Sequence, residues 1–191
     1  MMEPVACFED EEFMPMNEED LVAAVGEALD TNCSDEDLVV GTTIPRSFFG
    51  TRRQGFSLKS YVKRLYQYLE CSKSVFVTAL IYLERIQLAN PSNKLTDFNV
   101  HRMFSTAILL ALKYHDDEHY ANSYYAEVFG MRGLNEINHL EARMLTMLDF
   151  RLGVTEKEYT YCKNHLMQTQ IRLPAHSVVE FNTTNMVISA A

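Results

Sequence analysis

The stretch His115–His119 holds the densest group of side chains that could bind a metal ion, with three acidic residues between two histidines. Histidines four positions apart on a helix share one face and can bind zinc together. A zinc site needs at least a third protein ligand, and the sequence places none beside this stretch. We therefore interpret it as the solvated end of a helix with its loop, and we predict no metal and no cofactor.

The short motifs of common enzyme classes are absent from the sequence. It contains no GxGxxG, Walker loop, GxSxG, HExxH or CxxC pattern, and its four cysteines are scattered. Scattered free cysteines suit a reducing compartment. We therefore predict a protein that is not an enzyme, takes no small-molecule substrate, and works inside the cell, in the cytoplasm and/or the nucleus.

Two charged residues stand where the pattern predicts apolar ones. Glu141 lies four residues after Ile137 and four before Leu145, inside the apolar stripe of a predicted helix. Lys113 follows ten nearly uninterrupted apolar residues. A buried carboxylate is costly unless it is paired, so Lys113 and Glu141 could pair with each other. Equally, the lysine could stabilise a helix C-terminus and the glutamate could extend its head to water. Spacing alone leaves these interpretations open.

The elements that position these residues have helical periodicity. In two of the predicted helices nearly every residue is apolar, so these two must be central, with amphipathic helices around them. The pattern predicts an all-α fold of five helices followed by a sixth that opens on a Thr155–Glu158 capping box. The predicted ranges are 57–70, 72–89, 97–115 after a cap at Thr96, 119–129, 134–150 and 155–170.

The charged residues are distributed unevenly along the chain. The formal net charge is −9, yet the first 40 residues hold 13 acidic and no basic side chains. We predict that residues 1–40 are a largely disordered tail with one short helix, Leu21–Leu29, dispensable for folding. The remaining domains are predicted at 41–154, 155–173 and, as a flexible tail, 174–191. Positive charge is not clustered and no long apolar run occurs, so neither nucleic-acid binding nor membrane insertion is predicted.

Several motifs in their order resemble the cyclin family. Tyr82–Arg85 is similar to the second-helix motif of cyclins, Ala111–Asp117 to the end of their third helix, and Glu141 with Leu148–Phe150 to their fifth. Within the family, the P-type cyclins, called U-type in plants, are the closest in pattern. The residues that resemble them are 90–92, 98–102, 122–128 and 136–141, and the whole resemblance covers about Phe48 to Val154.

The resemblance implies a single five-helix cyclin box with flanking helices. It also implies a regulatory subunit that binds and activates a cyclin-dependent protein kinase, with a role in cell-cycle or nutrient-signalling control. Lys113 and Glu141 match a cyclin pair beside the kinase contact, and Tyr114, Leu145 and Leu148 are then candidate apolar contacts. The alternative is a cyclin-box scaffold in transcription that activates no kinase.

Two departures from the family pattern affect these implications. The Met-Arg-x-Ile-Leu motif with which mitotic cyclins dock substrates is absent between Arg53 and Leu65. The arginine of that motif normally pairs with the acidic residue that Glu84 matches. We therefore expect Glu84 to pair with another cation, Lys63 or Arg64.

Overall fold

The computed structural model describes residues 18–34 and 40–171, and α-helices form most of these ranges. A pair of two-residue parallel strands, β1 (Cys33–Ser34) and β2 (Leu95–Thr96), ties the end of the first helix to the loop before the fourth. The helices are α1 (Glu18–Asn32), α2 (Leu58–Tyr68), α3 (Ser74–Ala89), α4 (Val100–His115), α5 (Asn122–Phe129), α6 (Leu134–Met147) and α7 (Glu156–Ile171).

The predicted all-α fold is confirmed, and the largest differences from the predicted ranges lie at three helix ends. α4 begins at Val100 because Thr96 lies in β2, where its amide donates to Asn99 Oδ1 at 2.9 Å. α5 begins at Asn122. α6 ends at Met147 because Asp149 and Phe150 adopt left-handed backbone conformations, with φ of 52° and 57°. The predicted tail at 174–191 lies outside the described residues.

The two helices predicted to be central do form the middle of the core. α3 and α4 pack against each other along their length, and most residues of both are buried. The other helices surround them: α6 contacts α4 and α5, and α7 contacts α1 and α3. The end of α4 is thereby held in place beside α6.

The N-terminal helix α1 is part of the same core. Its apolar face is buried, and Val25 and Leu29 are almost completely inaccessible. α1 lies so close to α2 that a Cβ on Gly26 would stand 2.9 Å from the Cα of Lys59. The helix is therefore present where predicted, but this packing contradicts the expectation that residues 1–40 are dispensable for folding. The division of the chain at residue 40 stays a prediction.

A half-buried histidine near the start of α4, His101, predicts a pH-dependent stability. His101 lies between the rings of Phe56 and Tyr61, with centroid distances of 5.2 and 5.0 Å. Burial lowers the pKa of His101 from 6.5 to about 4. Between these values the unfolded chain binds the proton more readily than the folded chain does, so the contribution of His101 to stability is lost as the pH falls.

We expect the unfolding free energy of the natural protein to decrease relative to that of His101→Gln as the pH falls from about 6.5 to about 4. Above that window the difference should be constant. Urea titrations at a series of pH values would measure the unfolding free energies of the natural protein and of the variant. Parallel curves for the two proteins throughout the window would contradict the assignment.

Candidate functional site

Lys113 and Glu141 meet where the last turn of α4 packs against α6. Lys113 Nζ lies 2.6 Å from Glu141 Oε1, and the two side chains are 28% and 17% exposed. The structure confirms that they pair. Because both side chains remain partly exposed, the pair does not bear the full desolvation penalty of a buried salt bridge.

The second oxygen of the carboxylate is held from α5. The side-chain amide of Asn122 donates to Glu141 Oε2 at 2.8 Å and to Asn138 Oδ1 at 2.7 Å. Our interpretation of the sequence missed this contact. The sequence carries one signal for a polar cluster here, because Asn138 and Glu141 are three positions apart and residues at that spacing share one face of a helix. Three helices therefore fix the position of one carboxylate at the protein surface.

The predicted apolar contacts differ in how much surface they offer. Tyr114, next to the pair, is 55% exposed, whereas Leu148 is only 5% exposed and belongs to the core. Leu145 is half-buried and packs against the same core. Their contact with a kinase stays a prediction, and most of the surface for it comes from Tyr114.

Phe150 is an exposed aromatic that we did not predict as part of the site. It is 70% exposed and adopts a left-handed conformation directly after Asp149, which does the same. Left-handed backbone at a residue other than glycine costs roughly 1–2 kcal/mol. The amide of Phe150 donates to Leu145 O at 3.0 Å, which ties this turn to the last turns of α6. Strain of this kind is often found at functional sites.

The segment after Phe150 is anchored to α3 by the motif that resembles the cyclin second helix. Tyr82 Oη donates to Leu152 O at 2.6 Å, and burial raises the pKa of Tyr82, so this hydroxyl keeps its proton. Arg85 donates to the carbonyls of Arg151 and Gly153 at 2.8 and 2.9 Å. These bonds hold the chain that carries Phe150.

Arg85 also joins α3 to the start of α7. Its guanidinium lies 2.9 Å from Glu158 Oε1, while Glu158 Oε2 accepts from the amide of Thr155 at 2.8 Å. Thr155 Oγ1 in turn accepts from the amide of Glu158, so the predicted capping box is present. Arg85 thus connects the segment that follows Phe150 to the N-terminal cap of α7.

Removing this guanidinium should destabilise the fold measurably. We expect Arg85→Ala to lower the unfolding free energy by about 1–3 kcal/mol, because two carbonyls and a carboxylate lose a charged donor. Urea titration would measure it, with Arg151→Ala as control. Arg151 is 79% exposed, so its loss should cost less than about 0.5 kcal/mol. Equal effects of the two substitutions would contradict the anchoring role.

The prediction that Glu84 pairs with a cation of α2 is wrong. The cationic groups that act on its carboxylate are His165 on α7 and the neighbouring Arg85, rather than Lys63 or Arg64 on α2. Arg64 instead lies over the ring of Tyr68, 6.0 Å from its centroid. Burial raises the pKa of Glu84, and His165 partly offsets that effect.

The histidines of the candidate metal stretch do not share a helix face. α4 ends at His115, and His119 lies in the loop that follows. Within residues 18–34 and 40–171, no three His, Cys, Asp or Glu side chains come together as a metal site requires. In the same ranges, no helix has both the length and the apolar character that crossing a bilayer needs.

Comparison with known proteins agrees with this geometry. The family model described as Cyclin matches residues 16–152. The chain is 34% identical over 173 residues to Cyclin-U4-1 of Arabidopsis thaliana, which covers 88% of the chain and 85% of the relative. It is 38% identical over 157 residues to Cyclin-P3-1 of Oryza sativa subsp. japonica, covering 78% and 66%. The match begins at residue 16 and so includes α1.

Proposed function

This chain belongs to the cyclin family, and we propose that it binds and activates a cyclin-dependent protein kinase. In this proposal the chain is a regulatory subunit without catalytic activity of its own. Its site of action is inside the cell, in the cytoplasm and/or the nucleus, in cell-cycle or nutrient-signalling control.

The observation that carries the proposal is the partly exposed Lys113–Glu141 pair, together with two exposed aromatic rings, Tyr114 next to Lys113 in the chain and Phe150 after the end of α6. A stable monomer gains nothing from leaving Tyr114 and Phe150, 55% and 70% exposed, at its surface. Interfaces are enriched in aromatic side chains, and their central charges are desolvated on binding. An ion pair that is wet in the free protein and covered in a complex can orient a partner.

The resemblance to cyclins supports a kinase as the partner and indicates the mechanism that we propose. In cyclins the matching surface docks against the mobile C-helix of the kinase. A kinase is active when a glutamate of that helix pairs with the lysine that orients the ATP phosphates. A surface that contacts only the inward position of the helix shifts the population toward the active state. The fixed geometry of α4, α5 and α6 suits this task.

Affinity purification from native cells tests the proposal. The tagged chain should capture a protein kinase, and Glu141→Ala should lose most of it. Arg143→Ala is the matched control, because Arg143 is exposed and lies two positions, about 200°, around α6 from Glu141. Capture of general transcription factors without any kinase would instead support the scaffold alternative and contradict the proposal.

A further inference from the structure

An apolar groove lies between α1, α3 and α7, away from the helix ends that carry the Lys113–Glu141 pair. Its volume is about 580 Å³, within the range of roughly 300–1,000 Å³ typical of ligand pockets. Leu29 of α1, Leu83 and Leu88 of α3 and Leu166 of α7 line it, and of these four Leu88 is exposed whereas the other three are buried. Leu88 is 56% exposed.

The polar groups of the groove indicate which sign of charge it accepts. Of the described residues that line it, Glu84 is the one carboxylate, and His165 is the one other titratable group besides Cys162. Glu84 lies in a partly desolvated position, where another negative charge nearby is unfavourable. The occupant must therefore present an apolar face to the groove, without a carboxylate close to Glu84.

Three segments of the chain lie outside the described residues, and their charges differ. Residues 1–17 hold five acidic and no basic side chains, and residues 35–39 hold three acidic ones. Residues 172–191 hold a single acidic residue, Glu180, together with Arg172 and ten apolar residues. The segment that follows α7 is the one whose composition fits the groove.

The geometry allows this segment to return to the groove. α7 ends at Ile171, five residues or about 7.5 Å along the helix from Leu166. Pro174 disfavours continuation of the helix. Seven residues of extended chain span up to about 23 Å, so Val178 can reach the groove with length to spare.

We propose that residues 172–191 dock in cis into the groove between α1, α3 and α7, with Val179 and Phe181 against Leu88 and the apolar lining beside it. In an extended segment these two residues share one face, and Glu180 lies on the opposite face. Docking covers apolar surface of both the segment and the groove. It uses helices other than those of the kinase-facing site, so it does not depend on kinase binding.

A single fluorescent reporter tests the proposal in the full chain. The natural sequence has no tryptophan, so Phe181→Trp introduces the sole indole. We expect blue-shifted emission and several-fold weaker quenching by acrylamide than when Leu88→Asp is added to the same chain. Leu88 is exposed enough to be replaced without unfolding, which a thermal melt verifies. Val40→Asp is the matched control, because Val40 is 86% exposed and does not line the groove; it should leave the emission unchanged.

Three results would overturn the proposal. The introduced indole could be as accessible as a free tryptophan derivative, or its burial could be unaffected by Leu88→Asp. A blue shift that grows with protein concentration would place the segment in the groove of a second copy instead. If Phe181→Trp fails to fold, hydrogen exchange of the natural chain against Phe181→Asp decides the matter. Faster exchange in residues 83–88 and 162–166 of the variant supports docking, and unchanged exchange contradicts it.

Discussion

Replacing Val25 by Asp is expected to leave the isolated chain largely unfolded at room temperature. Val25 is inaccessible to solvent in the middle of α1, and a carboxylate there has no partner designed for it. Burial of an unpaired charge costs several kcal/mol even after relaxation. A domain of this size is stable by only about 5–15 kcal/mol in total. Circular dichroism melts and the soluble yield would measure the effect.

The matched control is Ala23→Asp, two positions earlier on the exposed face of the same helix. It introduces the same charge and the same helix propensity, so it should melt close to the natural protein. If Val25→Asp melts at the same temperature as Ala23→Asp, α1 does not share the core. Deletion of residues 1–40 should likewise be strongly destabilising, since it removes the buried face of α1.

Glu141→Ala is expected to weaken kinase binding by about 30-fold to several thousand-fold. In the complex it leaves the Lys113 ammonium desolvated and unpaired, a penalty of roughly 2–5 kcal/mol. In the free chain the lysine is 28% exposed and can turn toward water, so the melting temperature should change little. Lys113→Ala should behave in the same way, although Asn122 still donates to the remaining carboxylate.

A double-mutant cycle separates the pair from its surroundings. The double variant should lose less affinity than the sum of the single variants, because removing both residues leaves no unpaired charge. Titration calorimetry with the purified kinase, beside thermal melts of the free variants, gives both quantities. Single variants that unfold the free chain but retain kinase affinity would make the pair purely structural.

Much of the fold could be predicted because its signals are local. Helical periodicity located every described helix, and the continuous apolar character of α3 and α4 predicted their central position. The Lys113–Glu141 pair was predictable as one option, since a charge in an apolar stripe requires a partner. The capping box of Thr155 and Glu158 is local as well and could be recognised directly.

What could not be predicted depends on contacts between distant segments. The acidic composition of residues 1–40 outweighed the buried face of α1, whose fit rests on Gly26 meeting α2. The exposure of Phe150 follows from the left-handed turn after α6, and no glycine marks that turn. Glu84 was assigned a partner on α2 because the arginine that pairs with the matching residue in mitotic cyclins lies on that helix, whereas in this chain the charge of His165 on α7 acts on Glu84.

The rate of substrate phosphorylation by a purified cyclin-dependent kinase, with and without this chain, tests the central claim most directly. If the kinase alone populates its active state at about 1%, saturation with the chain should raise the rate by up to about 100-fold. Glu141→Ala should need a much higher concentration for the same effect, and Arg143→Ala should not. A complex that forms with full affinity yet leaves the rate unchanged would contradict activation.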